Sequence, residues 1–335
     1  MPVSERPVLV APDKFKGTYR ASEVAAAIGR GLERAGLMPP DLCPVADGGE
    51  GTQDALVTAL GGQIVGAEVR DPLGRPVTAS YALLEDGDTG LVEMAAASGL
   101  ALLTEAELDP ERATTYGTGE LICAAVDAGA SVVLVAVGGS ATVDGGAGAL
   151  KAIADHGGIG NARIVVLCDV RTPWEQAPEV FGPQKGASPD GVKRLERHLD
   201  ELAARLPRDP RGVPMSGAAG GLSGGLWAAH DATLEAGAPW VLDALDFDRR
   251  MRAARAVITG EGRLDFQTLE GKLVGEIGTR TRQAGVPLFA VVGRDDLDDF
   301  GKRMVDLQQV REAGTLEEME AAGEALGTAL TSSRA

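Results

Sequence analysis

Short apolar runs that end in turns rich in glycine and acidic residues recur along this chain, and helix-forming stretches separate them. The runs have the length and β-branched content of buried strands and lie at residues 8–11, 132–137, 164–167, 256–259 and 288–292. Alternation of strands with helices is typical of α/β layering around a mostly parallel sheet. The sequence therefore predicts an α/β fold whose ligands bind at the carboxyl ends of the strands.

Capping and turn signals predict several boundaries. The first strand is expected to lead into a helix that Ser22 caps and that stops at Gly36. Residues 54–60 and 316–330 have helical character, residues 206–210 indicate an exposed loop, and residues 70–74 resemble a crossing point between two halves of the chain.

The charge balance is acidic, with 49 Asp and Glu against 32 Lys and Arg in 335 residues. Nucleic acids and anionic membranes are recognised through fields of Lys and Arg, so the composition argues against both as partners. Cys43, Cys123 and Cys168 are too scattered for a disulfide framework, and no apolar leader or run of about 18 apolar residues is present. We expect a cytoplasmic protein.

Residues 11–18 (APDKFKGT) follow the first predicted strand. An acidic protein can bind a polyanion where lysines, backbone N–H groups and a divalent cation reverse the local field. Asp13, Lys14 and Lys16 suit such a phosphate or phosphate-metal site, although a solvated turn with surface lysines would have the same sequence.

Residues 46–52 (ADGGEGT) place two carboxylates in a glycine-rich turn. Asp47 and Glu50 could hold Mg²⁺ or take a proton from a substrate hydroxyl. The simpler explanation is an acidic helix N-terminus, which the helix dipole favours, but three glycines exceed what capping requires.

Residues 137–142 (VGGSAT) and 144–148 (DGGAG) follow an apolar strand and are expected to open a helix. Backbone N–H groups at a helix N-terminus form an anion site, which makes Gly138, Gly139 and Ser140 candidate phosphate ligands. The alternative is a tight turn whose glycines serve packing only.

Residues 258–265 (ITGEGRLD) repeat the pattern of strand, glycine turn and acid, and Gly271 and Lys272 follow. Glu261, Gly262, Asp265 and Lys272 are candidate cofactor ligands here. A Walker A motif would need glycine at Phe266 and Ser or Thr at Leu273, so this is not a P-loop. A dinucleotide fingerprint fails similarly, because Lys151 stands where its third glycine belongs.

The segment around Ser223 (GLSGG) matches the G-x-S-x-G pattern of hydrolase nucleophiles. The usual order requires an acid and then a histidine downstream. The only later histidine is His230, and no carboxylate stands between the two, so a hydrolase is disfavoured.

Together, these motifs resemble the glycerate kinase type 1 family. Further matches in the same order are EMA at 93–95, TTYGTGE at 114–120, FGPQKGA at 181–187 and GAAGG at 217–221. Each motif is weak alone, but the series covers nearly the whole chain.

The resemblance implies two α/β domains. Residues 1–70 and 255–335 would form a flavodoxin-like domain, and residues 71–254 an inserted domain resembling restriction-endonuclease folds. It also implies ATP, Mg²⁺ and D-glycerate, with 2-phosphoglycerate as product. A homodimer is left open.

Two departures from the family pattern stand out. The segment at residues 151–163 is shorter, which trims the inserted domain. Residues 171–175 (RTPWE) replace the usual Thr-Asn-Pro-Leu and glycine, so we expect a changed substrate-facing loop and allow altered acceptor specificity.

Residue chemistry suggests roles for these candidates. Lys14, Lys16 and the backbone of residues 138–140 would hold phosphates, while Asp13, Asp47 or Glu50 helps to bind Mg²⁺. Asp169, after the strand at 164–167, is the expected base for the glycerate hydroxyl, and Asp265 and Lys272 would close the site.

Two alternatives remain. One is a kinase of a related small hydroxy acid. The other is a protein that binds a nucleotide or sugar acid without turnover, against which the carboxylates at Asp47, Asp169 and Asp265 argue.

Overall fold

The computed structural model describes residues 6–15, 17–266, 268 and 273–332. Its strands are β1 (Val8–Pro12), β2 (Asp41–Leu42), β3 (Gly62–Arg70), β4 (Pro76–Leu84), β5 (Thr89–Glu93), β6 (Val132–Ala136), β7 (Arg163–Cys168), β8 (Thr233–Ala236), β9 (Ala256–Glu261), β10 (Leu288–Val292) and β11 (Leu307–Glu312). Its helices are α1 (Ala21–Arg34), α2 (Thr52–Leu60), α3 (Ala95–Ser98), α4 (Tyr116–Asp127), α5 (Ala147–His156), α6 (Ala177–Phe181), α7 (Pro189–Ala203), α8 (Leu222–His230), α9 (Gly237–Ala244), α10 (Phe247–Ala253), α11 (Leu273–Ala284), α12 (Asp299–Met304) and α13 (Leu316–Ser332). The mixed α/β class predicted from the sequence is confirmed.

The chain divides into two compact units. The first comprises Met1–Asp47, Asp54–Ala59 and Ala238–Ala335, and the second comprises Gly48–Gln53 and Leu60–Gly237.

A five-stranded parallel sheet forms the centre of the first unit, in the order β11-β10-β9-β1-β2. Counted along the chain from the β2 edge, this order is 2-1-3-4-5, which is that of flavodoxin-like doubly wound sheets. Strands β1, β9 and β10 are buried along their apolar residues, as expected of parallel strands with both faces covered. In such sheets the ligand crevice lies at the carboxyl ends where the order reverses, here at β1 and β9.

Helices α1 and α13 of the first unit approach each other closely through glycines. A Cβ on Gly31 would lie 2.0 Å from the carbonyl oxygen of Glu320, and a Cβ on Gly323 would lie 2.4 Å from that of Ile28. The Glu320 carboxylate also accepts a hydrogen bond from Arg30 Nε at 2.8 Å. Only residues without a side chain permit this helix spacing.

Helix α1 begins two residues earlier than expected. Arg20 is its N-cap, so the prediction that Ser22 caps the helix is wrong. Ser22 Oγ instead donates a hydrogen bond to Asp54 Oδ2 at 3.0 Å. The predicted stop is confirmed, because α1 ends at Arg34 and Gly36 has a positive φ of 79°.

The second unit contains a six-stranded sheet in the order β3-β4-β5-β6-β7-β8. Strands β5 to β8 are parallel, whereas β3, β4 and β5 pair antiparallel. The residues expected to cross between halves, 70–74, form the turn that joins β3 to β4. Asp71 Oδ1 fixes this turn by accepting from the N–H groups of Leu73 and Arg75, both at 2.8 Å.

The division of the chain differs from the bounds expected at residues 70 and 255. Strand β3 belongs to the second unit, because all nine of its residues pair with β4. Residues 238–254 belong to the first unit, where Arg280 of α11 binds the carboxylates of Asp243 and Asp248. The likeness of the second unit to restriction-endonuclease folds stays a prediction.

The connection between α5 and β7 is short. Helix α5 ends at His156, Gly157 and Gly158 adopt positive φ, and β7 begins at Arg163. No helix in the described ranges is long and apolar enough to cross a bilayer.

Candidate functional site

Charged side chains gather where strands of the first sheet end. The residues that we call the β1 cluster are Asp13, Lys14, Asp47 and Glu261. Strand pairing places them together: Pro12 is the register partner of Gly260, and the Asp13 N–H donates to the Gly260 carbonyl at 2.8 Å. The Val45 N–H donates to the Pro12 carbonyl at 3.0 Å, which continues the pairing of β1 and β2 toward Asp47.

The carboxyl group of Asp13 is buried among other carboxylates. Burial, followed by the charge of Asp47, raises the pKa of Asp13 well above its ordinary value, and Glu261 adds to the rise. The Lys14 N–H, 2.7 Å from Asp13 Oδ1, and the Lys14 ammonium lower that pKa. A buried carboxyl group with two acidic neighbours favours a bound proton or cation.

The hydroxyl group of Thr268 holds two groups at the end of β9. Thr268 Oγ1 donates to Glu261 Oε1 at 2.8 Å and accepts from the Asp265 N–H at 3.3 Å. Gly262 follows Glu261 in the turn, and a Cβ on Gly293 would lie 2.6 Å from its carbonyl oxygen. Asp13, Lys14, Asp47, Glu261, Gly262 and Asp265 thus all belong to this unit, whereas Lys16 and Lys272 lie outside the described residues.

In the second unit, residues 137–142 form a loop after β6, which we call the β6 loop. It packs against the glycine-rich turn of residues 48–51. A Cβ on Gly138 would lie 2.8 Å from Gly49 Cα, and a Cβ on Gly139, whose φ is 77°, would lie 2.2 Å from Glu50 Oε1. These glycines allow the approach that brings Glu50 to the loop.

Asp169 follows β7, the strand that pairs with β6. Its Oδ2 atom lies 3.7 Å from the position of a Cβ on Gly138. The second unit therefore brings together five of the residues predicted from the sequence: Glu50, Gly138, Gly139, Ser140 and Asp169.

The glycine-rich run does open a helix as expected, but this helix, α5, starts only at Ala147. Gly138, Gly139 and Ser140 therefore do not stand at its N-terminus, and their role as an anion site stays a prediction. Asp144 accepts hydrogen bonds from the N–H groups of Gly146 at 3.0 Å and Gly148 at 3.1 Å, and from Thr115 at 2.8 Å. The Asp144 carboxylate thus occupies the N–H groups at the start of α5 that a bound anion would use.

Lys185 is a member of this group that the sequence reasoning missed. Its side chain is fully buried, and Nζ donates to Ser140 Oγ at 2.6 Å and to the Thr142 carbonyl at 2.8 Å. Lysine is almost never fully buried, so its residue type indicated the surface. The available signal was its place in the FGPQKGA motif.

Trp174 is the buried residue of segment 171–175, whereas Arg171 and Glu175 are exposed, so the expectation that this segment faces the substrate stays a prediction. The Trp174 side chain is fully buried, and its Nε1–H donates to the Leu199 carbonyl at 3.1 Å. Cβ atoms on Gly145 or Gly224 would lie 2.6 Å from its indole ring. The most distinctive residue of this segment therefore packs in a core and does not face a ligand.

Ser223 is equally unsuited to act as an exposed nucleophile. It is fully buried, and its Oγ donates to the carbonyl oxygens of Met215 at 2.7 Å and Ala218 at 3.2 Å. The G-x-S-x-G match is thus part of the packing around α8.

The doubly wound sheet, with acidic residues at the ends of its strands, defines a protein of the flavodoxin-like α/β class. A family model described as the glycerate kinase family matches residues 8–156 and 154–329, two segments that meet where the chain was expected to be shortened.

Curated relatives agree along most of the chain. A glycerate kinase from Bacillus subtilis (strain 168) is 39% identical, with 85% of this chain and 84% of the relative covered. A glycerate 2-kinase from Escherichia coli (strain K12) is 36% identical, with 93% and 92% covered. The crystal structure of a protein assigned as glycerate kinase 2 from Salmonella typhimurium LT2 has a TM-score of 0.84 and 34% identity, and covers 98% of this chain and 99% of that one. This chain belongs to the glycerate kinase family and is an enzyme of the kinase class.

Proposed function

We propose that this protein transfers the γ-phosphoryl group of ATP to the C2 hydroxyl of D-glycerate, giving 2-phosphoglycerate and ADP. The observation that carries the proposal is the family match along residues 8–329, together with relatives named glycerate kinase and glycerate 2-kinase. Assignment to type 1 of the family rests on the order of the sequence motifs. A cytoplasmic location and a homodimer stay predictions.

The β1 cluster suits Mg²⁺ and phosphate. The described residues contain no group of three or more side chains spaced to hold a metal unaided. Mg²⁺ usually takes only one or two protein carboxylates beside phosphate oxygens and water, so Asp13 and Asp47 fit such a partial set. The raised pKa of Asp13 supports this role, because a cation would stabilise its ionised form. When bound, Mg²⁺ neutralises charge on the transferring phosphoryl group.

Lys14 and Glu261 complete this part of the proposal. The Lys14 ammonium contacts phosphate oxygens as a point charge, and Glu261, which Thr268 holds, orients the surrounding donors. Gly262 and Asp265 are proposed ligands of the nucleotide in the same turn. Roles for Lys16 and Lys272 stay predictions from the sequence.

In the second unit, Asp169 is proposed as the base. The acceptor oxygen forms its bond to phosphorus, the bond from phosphorus to the bridging oxygen of ADP breaks, and the hydroxyl proton passes to the Asp169 carboxylate. Gly138, Gly139 and Ser140 line the adjacent β6 loop as proposed anion ligands. Glu50, close to Gly139, orients this loop or contributes to metal binding.

A kinase for a related hydroxy acid was suggested by residues 171–175. Because Trp174 there is a core residue, the structure gives that alternative no support.

The test is a coupled assay of ADP release with ATP, Mg²⁺ and D-glycerate, and phosphorus NMR of the product. Release that depends on D-glycerate, with phosphate on C2, is the expected result. Turnover only with another hydroxy acid would transfer the proposal to that acceptor, and binding of both substrates without turnover would overturn it.

A further inference from the structure

The buried side chain of Lys185 has no carboxylate close to its Nζ atom among the described residues. Its Nζ has two hydrogen-bond acceptors, Ser140 Oγ and the Thr142 carbonyl. In the described part of the chain, no ion pair within 4 Å joins Nζ to a carboxylate, and the charges that act on it from farther away are Asp144 and Asp169. A buried charge is costly unless it is paired, so this arrangement favours an anion nearby.

The contact with Ser140 has a direction. When Lys185 carries its charge, its ammonium group can only donate, so Ser140 Oγ must then accept from it. The hydroxyl proton of Ser140 is then available to donate to another group. Ser140 is 7% exposed and stands on the loop that Glu50 and Asp169 adjoin, so that proton can serve a ligand at the β6 loop.

A second observation also indicates a ligand. The Thr142 hydroxyl is buried and has no hydrogen-bond partner among the described residues. Its own carbonyl oxygen accepts from Lys185, which fixes the backbone of the loop at this point. A buried hydroxyl without a partner costs free energy, and a ligand oxygen or a water in the loop would remove that cost.

We infer that Lys185 is a positioning residue for an oxyanion at the β6 loop: it directs the Ser140 hydroxyl proton toward that anion and places a positive charge behind it. This inference rests on the proposed function for the identity of the anion, which is the carboxylate of the acceptor or a phosphate of the nucleotide.

Proton linkage gives the inference a measurable consequence. Burial lowers the pKa of Lys185 to about 7, although the negative charges of Asp144 and Asp169 oppose this shift. A further neighbour of Nζ is the uncharged ring of Phe181 on α6, whose centroid lies 5.7 Å away. An anion raises the pKa of an adjacent ammonium group, so binding takes up a proton when the solution pH is at or above that pKa. Affinity for the anion therefore falls as pH rises through the region of pH 7.

Calorimetry at pH 7.5 in two buffers with different ionisation enthalpies measures this uptake. D-glycerate and the Mg²⁺ complex of a non-hydrolysable ATP analogue are titrated separately into the full-length protein. We expect uptake of a fraction of a proton with one of them. Uptake with D-glycerate identifies the acceptor carboxylate as the oxyanion, and uptake with the analogue identifies a nucleotide phosphate.

Substitutions test whether Lys185 is the group that takes up the proton. Lys185→Met should abolish proton uptake and weaken binding of the ligand that showed it by about 10- to 100-fold, the range for a charge-assisted hydrogen bond. Ser140→Ala should weaken binding of the same ligand. Because this variant keeps the buried lysine, it tests the inference even if Lys185→Met does not fold. Lys193→Met is the matched control, because the Lys193 side chain on α7 is 71% exposed.

Absence of uptake with both ligands, or unchanged affinity and uptake in Lys185→Met, would overturn the inference. Proton-coupled binding that depends on Lys185 in a protein without D-glycerate turnover would support it and would refute the proposed function alone.

Discussion

Single residues at the ends of strands carry most of the chemistry that this chain offers. In the first unit, the charges of Asp47 and Glu261 act on Asp13, and burial raises the pKa of Asp13. In the second unit, two glycines of the β6 loop allow Glu50 and Asp169 to approach the loop. The first arrangement concentrates negative charge for a cation, and the second places two carboxylates beside one loop.

Asp169→Asn tests the proposed base. We expect turnover with D-glycerate to fall by about 10²- to 10⁴-fold, because an amide cannot accept the hydroxyl proton. ATP binding, measured by calorimetry, should be largely retained. Asp190→Asn, at an exposed position at the start of α7, is the control and should keep normal turnover. An unchanged rate in Asp169→Asn would remove this residue from the mechanism.

Trp174 offers a test of packing. Trp174→Ala should reduce the free energy of unfolding by about 3–5 kcal/mol, because the cavity left in the core around Leu199 cannot refill completely. Urea unfolding measures this loss. Trp227→Ala, which removes a partly exposed ring under Arg208, should cost less. A smaller loss in Trp174→Ala than in Trp227→Ala would contradict the assignment of Trp174 to the core.

Residue chemistry predicted part of the candidate site well. Acids and glycines that follow apolar runs, such as Asp13 and Gly138, do lie at strand ends, because the carboxyl ends of parallel strands share one edge of a sheet. Sequence could not show that Lys185 is buried or that Asp144 occupies the donors of α5. The first depends on a contact between residues far apart in the chain, and the second on the local conformation of the turn at residues 144–148, which its glycines leave open.

At the scale of elements, α1 and α13 of the first unit pack closely through glycines. Glycine is ordinarily unfavourable inside a helix by about 1 kcal/mol relative to alanine. Here Gly31 and Gly323 occupy positions where a Cβ would contact the backbone of the opposite helix. The close packing of the two helices thus outweighs the local preference for alanine.

Gly31→Ala and Gly323→Ala should each lower the free energy of unfolding by about 1–3 kcal/mol, because the overpacking cost exceeds the gain in helix propensity. Gly66→Ala in β3 is the control, since a Cβ there would meet no atom within 4 Å. Urea unfolding of the three variants decides the sign. Stabilisation by Gly31→Ala would mean that the helices separate easily.

Elements buried on both faces were the easiest to predict. Strands β1, β6, β7, β9 and β10 contain nearly continuous apolar residues, and their predicted positions are confirmed to within a few residues. Strands β2, β3, β4, β5, β8 and β11 were missed. β3 includes two glycines and is exposed along most of its length, and the alternation of Val65, Ala67 and Val69 with more polar residues was not recognised as that of a half-buried strand.

For the whole molecule, the two units differ in how the chain builds them. All six strands of the second sheet lie between Gly62 and Ala236, whereas the first sheet takes two strands from the beginning of the chain and three from its end. That both ends share one domain was implied by the resemblance to a family. No local pattern reveals it, because periodicity does not report which strands pair.

A fragment of residues 48–237 should therefore fold alone. It contains the complete six-stranded sheet and its core, so we expect its unfolding in urea, measured by circular dichroism, to be cooperative. A fragment of residues 1–59 contains only β1 and β2 and should lack stable structure. A gradual, non-cooperative transition in the longer fragment would show that the second unit requires the first.

The pairing of β1 with β9 also has a consequence for synthesis on the ribosome. Val8 is the register partner of Ala256, so β1 is translated long before a neighbour that is almost 250 residues farther along the chain. At about 5–20 residues per second, this delay lasts roughly 12–50 s. During that time the nascent chain carries an apolar strand whose backbone groups on the β9 side are unpaired.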